Sequence, residues 1–310
     1  MVGTFVADRV WPWQGPAFSD LGGLIYTILP LAALCPGGWQ LVPVAHVGAD
    51  LWPHLRGVLA RLPAVSLDGL IQVRAINNRV TLRYTSVRDR VERLEGGVPA
   101  LGAAGLQVAG SADFILLNYV SGAELTLSGW RLLRASGRPI YADLHSLVLG
   151  RRRDGLRYLR RPPAWRERLR GLRYVQLNEV EAACLLGTGL PLEPADRLRL
   201  RRLGSQSGAQ AVLLTEGERG AWFAPTYGRR PPAAIAAIGG PGREPTGCGD
   251  AFAAGFMAAL LHGRSPAQAA LAAVRCAGIK SQLRGPRRLY AAMRRRRSWI
   301  LGRPGRGRGR

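Results

Sequence analysis

Short apolar runs alternate along the chain with longer stretches whose apolar residues recur at helical spacing. Residues 2–10 read as a buried first strand, with Asp8 near its end. Residues 24–34 read as a helix after Asp20-Leu21-Gly22-Gly23. Residues 41–47 are strand-like, and residues 51–62 carry Leu55, Val58, Leu59 and Leu62 on one helical side. Buried strands are expected at 114–118, 139–142, 174–177 and 211–215, with a return strand at 222–224. Helical patterns fall at 125–136, 178–186, 251–261 and 267–281. Strand–helix–strand units of this size imply parallel pairing with right-handed crossovers. The predicted fold class is α/β, a three-layer domain with a mainly parallel central sheet.

Residues 71–84 have a different texture. Val80, Leu82 and Tyr84 alternate with Arg79, Thr81 and Arg83, as in a half-exposed strand, and Asn77-Asn78 reads as a turn. A small β lid beside the main sheet is predicted, with strands near 9–20 and 71–90. The domain is expected to span 1–286. Beyond it, residues 287–310 hold ten arginines and no acid, lose any apolar period after the first residues, and end in Gly-Arg repeats. A disordered basic tail is expected there.

Composition narrows the function classes. With 310 residues, 47% of them hydrophobic, the chain has enough apolar material for a sizeable core. Its net charge of +24 raises nucleic-acid binding. However, Lys280 is the only lysine, and such one-sided use of arginine speaks for biased composition as much as for a binding surface. RNA binding through the arginine-rich tail stays open as an alternative. Cys35, Cys184, Cys248 and Cys276 form no Cys-x-x-Cys pair, so no zinc site or disulfide framework is expected, and a cytoplasmic setting fits. No leader precedes the first strand, and no apolar stretch is long enough to span a bilayer.

The chemistry concentrates at Pro245-Thr246-Gly247-Cys248-Gly249-Asp250. Two glycines two apart permit a tight turn and close approach to a ligand. The helix that follows points free N–H groups outward, which favours an anion. Asp250 at the same end is an ordinary N-terminal cap or, beside that cradle, a base. Phosphoryl transfer to a hydroxyl needs such a pair. Other phosphate schemes fail: there is no Gly-x-x-x-x-Gly-Lys-Ser/Thr and no Gly-x-Gly-x-x-Gly after the first strand. Elsewhere the residues admit plain readings. Asp8 can be a turn residue, Gly22-Gly23 a glycine turn and Glu181 dipole compensation. Gly217 and Gly220 can be hairpin glycines, His46 a strand residue and His145 a structural one.

Residues 244–250 resemble the Asp-Thr-x-Gly-Ala-Gly-Asp signature of the ribokinase-like (PfkB) carbohydrate kinases, with Glu244, Pro245 and Cys248 departing from it. Further resemblances follow in the family's order: Gly3 to Asp8, Gly22-Gly23, Gly48-Ala49-Asp50, Asp143-Leu144-His145, Asn178 to Glu181 and Thr215 to Gly220. The usual Asn after the glycine pair is replaced in the Tyr26-Thr27 neighbourhood, and Leu147 stands where an Arg is often found. The resemblance implies an ATP-dependent, magnesium-requiring kinase acting on a sugar or nucleoside-like alcohol. Asp250 would be the general base, and the Gly247, Cys248 and Gly249 amides the anion hole. Asp8, Gly22, Gly23, Asn78 and Asp143 would hold the acceptor. Asn178, Glu181, Thr215, Gly217 and Gly220 would lie along ATP, with Glu181 reaching Mg2+ through water. The resemblance leaves a homodimer possible and implies no membrane partner. A non-catalytic kinase-like binding protein is the other alternative.

Overall fold

The computed structural model describes residues 1–86, 89–240 and 242–302. Val2 bridges both Leu117 and Val44, so the chain starts within the main sheet. It then leaves that sheet as β1 (Phe5–Trp11), which turns back as antiparallel β2 (Phe18–Gly23). β3 (Ala45–Gly48) and β4 (Leu70–Val73) pair in parallel. β5 (Arg79–Tyr84) runs parallel to β1, and β6 (Arg90–Glu95) antiparallel to β5. The lid is thus a four-stranded sheet of order β2-β1-β5-β6.

The main sheet uses β7 (Ile115–Asn118) and β8 (Ile140–Asp143). A hairpin of β9 (Leu149–Arg151) and β10 (Arg157–Leu159) follows. The sheet continues with β11 (Tyr174–Asn178), β12 (Ala211–Thr215), β13 (Ala221–Pro225) and β14 (Ala233–Ile235). Its order is β14-β13-β12-β11-β8-β7. β7, β8, β11 and β12 are parallel; β13 and β14 are antiparallel.

The period of two explains the layers. Leu116, Tyr141, Tyr174 and Leu213 face the helices Ile25–Leu34, Cys248–Leu261 and Pro266–Ser281. Their neighbours Leu117, Ala142, Val175 and Val212 pack on the other side with the helices Leu127–Ala135, Glu179–Leu186 and Pro194–Gln206. The Cys248–Leu261 helix is buried almost all round, as its uniformly apolar sequence requires.

Two expectations change. β4 joins β3 instead of the lid: the alternation that marks a lid strand lies in Arg79–Tyr84, whereas neighbouring Ile71 and Gln72 of β4 are both exposed. The expected lid segment also runs through Val87 and Arg88, which lie outside the described residues. The arginines at 151–161 frame the β9–β10 hairpin, and Arg157 within it is buried, donating through Nη1 to the Ser121 carbonyl at 2.8 Å. Residues 287–302 are not a disordered tail. Leu289–Arg295 and Arg297–Leu301 are helices that bury Leu289, Met293 and Ile300 against the core. These three residues face inward, whereas Trp299 beside them is exposed. Residues 303–310 of the expected tail lie outside the described residues.

Candidate active site

Gly247 caps the Cys248–Leu261 helix at φ 79°, in the left-handed region where glycine is favoured. A Cβ on it would come within 2.4 Å of the Tyr26 ring. The turn therefore needs glycine twice over, for its dihedral and for its space. Among the described residues the amides of Gly247 and Gly249 meet no acceptor. The Cys248 amide donates to the Pro245 carbonyl at 3.1 Å, so its expected place in the anion hole is taken by a turn hydrogen bond.

Asp250 stands one step further on, in the first helical turn. Its Oδ1 accepts from the Asn118 amide and from the Thr27 hydroxyl, the latter at 3.4 Å. Burial pushes its carboxyl above the usual range, against the lowering effect of the Asn118 hydrogen bond. It borders a cleft of about 630 Å³ whose walls include Asp8, Gly23, Asp143, His145, Glu181, Thr246, Gly247 and Gly249. Lid residues Val80, Leu82, Arg90 and Glu92 and the β9–β10 hairpin close its other side.

An adjoining slot of about 370 Å³ shares Asn178, Thr215 and Gly249 with the cleft. Gly217, Gly220 and Cys248 line it, and Ala237, Ile238, Phe252, Val274 and Ala277 give it apolar walls. Gly220 has φ 103°, and a Cβ there would sit 2.0 Å from the Ile235 carbonyl oxygen. Gly249 and the start of the helix thus stand between two different spaces. One is ringed by carboxylates; the other has apolar walls and bordering glycines, with Glu179, Glu216, Glu218 and Arg219 also lining it.

The acceptor residues predicted from sequence fare unequally. Asp8 is 5% exposed and lines the cleft from mid-β1. Burial first, then the charges of Glu92 and Asp250, hold its carboxyl well above the usual range. Gly22 pairs with Val6 across β1 and β2, diagonal to Asp8, and a Cβ on it would overlap the Asp8 carboxylate at 1.9 Å. Gly23, at φ 62°, lines the cleft itself. Asn78 does not reach it: its Oδ1 accepts from the Val98 amide at 3.1 Å, away from both spaces. Nor is Asn77-Asn78 an exposed turn. The buried Asn77 amide accepts from Gly48 N and donates to the Phe5 and Asn78 carbonyls, tying the lid to the end of β3.

Asp143 ends β8 and is 4% exposed. Burial and the nearby Glu181 carboxylate raise its pKa to about 8. Gln176 Nε2 holds Asp143 Oδ2 at 3.1 Å and the Gly249 carbonyl at 3.0 Å, fastening sheet to helix start. Asn178 and Glu181 form a capping box. Glu181 Oε1 also meets His145 Nδ1 at 3.0 Å. Burial lowers the imidazole's pKa, but the Glu181 hydrogen bond and charge outweigh it and raise the value to about 9.

No group of three or more His, Cys, Asp or Glu gathered as a metal site occurs among the described residues. Glu181 nevertheless fits a cation held with water, with Asp143 beside it. Burial first, then the Glu181 and Asp250 charges, raise the Asp143 carboxyl to about 8, and a divalent ion there relieves the repulsion among these carboxylates. Mg2+ keeps several waters and takes one or two carboxylates in phosphate sites.

Sequence reasoning missed Asn118, Thr27, Gln176 and Arg90. Asn118 was noted only as a strand end on the ligand side, and Gln176 gave no signal inside a buried strand. Arg90 sits between Glu92 and the Tyr84 hydroxyl, and that hydroxyl pairs with Thr246 Oγ1 at 2.8 Å.

The architecture is the ribokinase-like α/β fold. It matches the ribokinase from Giardia lamblia with a TM-score of 0.76 at 17% identity, covering 96% of this chain and 97% of that one. It matches Arabidopsis thaliana ribokinase complexed with ribose and ATP with a TM-score of 0.71 at 18% identity, covering 97% of each chain. A Burkholderia thailandensis nucleoside kinase in complex with inosine aligns with a TM-score of 0.72 at 18% identity, covering 96% of each. Within that fold, residues 158–291 match the model of the pfkB family carbohydrate kinases, so the resemblance drawn from the sequence holds. Comparison with curated protein sequences finds no match. Among the described residues no helix is long and apolar enough to cross a membrane.

Proposed function

We propose that the protein is an ATP-dependent kinase that phosphorylates a hydroxyl of a sugar or sugar-like small molecule. The observation that carries this reading is the placement of Asp250 and the Gly247 and Gly249 amides where the carboxylate-lined cleft meets the apolar slot. A polyol fits the cleft, where Asp8 and Asp143 accept from its hydroxyls and Gly22 and Gly23 let it approach the backbone. A nucleotide fits the slot, with its base against Ile238, Phe252 and Val274 and its phosphates passing Thr215, Gly217 and Gly220 toward Gly249. The apolar walls favour a nucleoside triphosphate over bare pyrophosphate as donor.

In the reaction Asp250 takes the proton of the acceptor hydroxyl as that oxygen attacks the γ-phosphorus. Its raised pKa makes it a stronger base than an exposed carboxylate. The Gly247 and Gly249 amides hold the charge on the moving phosphoryl oxygens. Mg2+, when bound, would supply positive charge to offset that of the phosphates. Glu181 would hold it through water, with Asn178 orienting Glu181. The lid and the hairpin exclude water, which limits wasteful ATP hydrolysis. Four free cysteines accord with a cytoplasmic setting.

The experiment is a screen of sugars, polyols and nucleosides with ATP and Mg2+, reading ADP release and the phosphorylated product by mass. Transfer to one acceptor class is expected. ATP binding with no transfer to any of them would select a non-catalytic binding role instead.

A further inference from the structure

Lys280, the only lysine of the chain, is also completely buried. Its Nζ lies 3.0 Å from Glu244 Oε2, 3.0 Å from the Leu283 carbonyl oxygen and 3.5 Å from the Glu244 carbonyl oxygen. The Tyr26 ring lies 5.3 Å from the ammonium. Glu244, 1% exposed, is used on both oxygens: Oε1 accepts from Thr246 N at 2.9 Å, and Oε2 accepts from Gly285 N at 3.3 Å as well as from Lys280. Two further bonds tie the loop to the end of the same helix, from Arg243 N and Glu244 N to the Ser281 carbonyl.

Such a pair is a poor choice for stability alone. Taking two charges out of water is costly, and packed apolar residues often do as well. Its position suggests another use. Two routes lead from Lys280 to Gly247. One runs through Glu244 and the Thr246 amide; the other runs through the Tyr26 ring that fills the space beside Gly247. An uncompensated Glu244 carboxylate directly behind the glycine amides would oppose the negative charge those amides are placed to receive.

We infer that Lys280 is a positioning residue for phosphoryl transfer: its ammonium cancels the Glu244 charge behind the Gly247–Gly249 turn and clamps that turn to the Pro266–Ser281 helix. This deepens the kinase reading and rests on it. It requires neither residue to touch substrate.

The test compares Lys280→Met and Glu244→Gln with wild type in the phosphoryl-transfer assay, at a temperature well below each variant's Tm. Lys280→Met keeps the stem and removes the charge. Glu244→Gln is the second variant because it keeps the shape of the buried side chain. Its single amide oxygen can accept from Thr246 N or from Lys280, but not from both. Lys280→Met leaves the Glu244 charge uncancelled and opens the clamp, and its kcat is expected to fall roughly 10²-fold, as about 1 Å misplacement of a site produces; Glu244→Gln opens the clamp but removes the charge, so its kcat is expected to fall by a smaller factor. The acceptor KM should stay within about threefold of wild type. A merely structural pair would lower Tm and leave kcat of the folded protein unchanged, which overturns the inference while the kinase reading stands. A Lys280→Met that does not fold leaves the decision to Glu244→Gln, and if neither folds it passes to Lys280→Ala refolded with butylammonium, with tetramethylammonium as control. Activity restored by the first ion alone supports the inference; activity with both, or with neither, overturns it. In a wild type that binds ATP without transferring phosphate, calorimetry reads the preference for ATP over ADP. The variants should reduce it at least roughly fivefold, about 1.6 RT in free energy, and an unchanged preference overturns the inference. A wild type that binds neither nucleotide overturns both readings.

Discussion

Replacing Asp250 by Asn isolates proton acceptance from everything else that side chain does. In the protein, Asp250 Oδ1 takes hydrogen bonds from Asn118 and Thr27. An Asn at this position keeps an oxygen of the same size there, so both bonds and the helix start survive. The lost property is the ability to take a proton from the acceptor hydroxyl. General base catalysis contributes about 10²–10⁴ in rate, or ~2.7–5.4 kcal/mol of barrier at 1.36 kcal/mol per decade. Asp250→Asn is therefore expected to lower kcat by about 10²–10⁴. KM for ATP should change little, since the amides of Gly247 and Gly249 are untouched. The assay couples ADP release to NADH oxidation, with thermal unfolding as the control for folding. Undiminished turnover by a folded variant would refute the assignment of Asp250 as base.

Four further outcomes are expected. Gly22→Ala drives a methyl group into the Asp8 carboxylate and should raise the acceptor KM roughly tenfold or more, the equivalent of about 1.4 kcal/mol of binding, with KM for ATP unchanged; equal acceptor affinity would remove Asp8 from that role. Asn77→Ala strands the Gly48 amide and the Phe5 carbonyl and should cost about 2–4 kcal/mol in urea unfolding, whereas kcat of the folded protein stays near wild type. Asp143, raised to about 8 by burial and Glu181, is mostly protonated at pH 7 without metal, and a bound cation favours its ionised form. Mg2+ binding should therefore release protons near neutral pH and stop doing so above about pH 9, which calorimetry in buffers of different ionisation enthalpy detects. Truncation after Pro286 removes the buried Leu289, Met293 and Ile300 and should lower stability by several kcal/mol, at about 1.5–3 kcal/mol per buried side chain, read as a fall in Tm.

Local chemistry was legible in the chain wherever it repeats at a fixed spacing. The period of two in β7, β8, β11 and β12 fixed which residues face each helical layer. The capping box at Asn178 and Glu181 and the left-handed glycine at 247 lie within one turn of the residues that need them. The sequence therefore determined the strand–helix order, the helix start at the glycine turn and the Asp250 beside it. Only the tertiary structure decided what surrounds that acid. Asn118 and Thr27 are 132 and 223 residues from Asp250 in the chain, and Gln176 reaches Gly249 from a strand 73 residues away. No periodicity links such positions, because their meeting depends on where the crossovers set each strand. The same holds for Asn77 and Asn78, adjacent in sequence, of which the first ties the lid down and neither reaches the cleft. It holds for Lys280, whose single occurrence is visible in the sequence but whose partner Glu244 is set by the packing of one helix against the turn before another. Side chains of the same type differ in role because burial, which follows from the whole fold, decides which of them must find a partner.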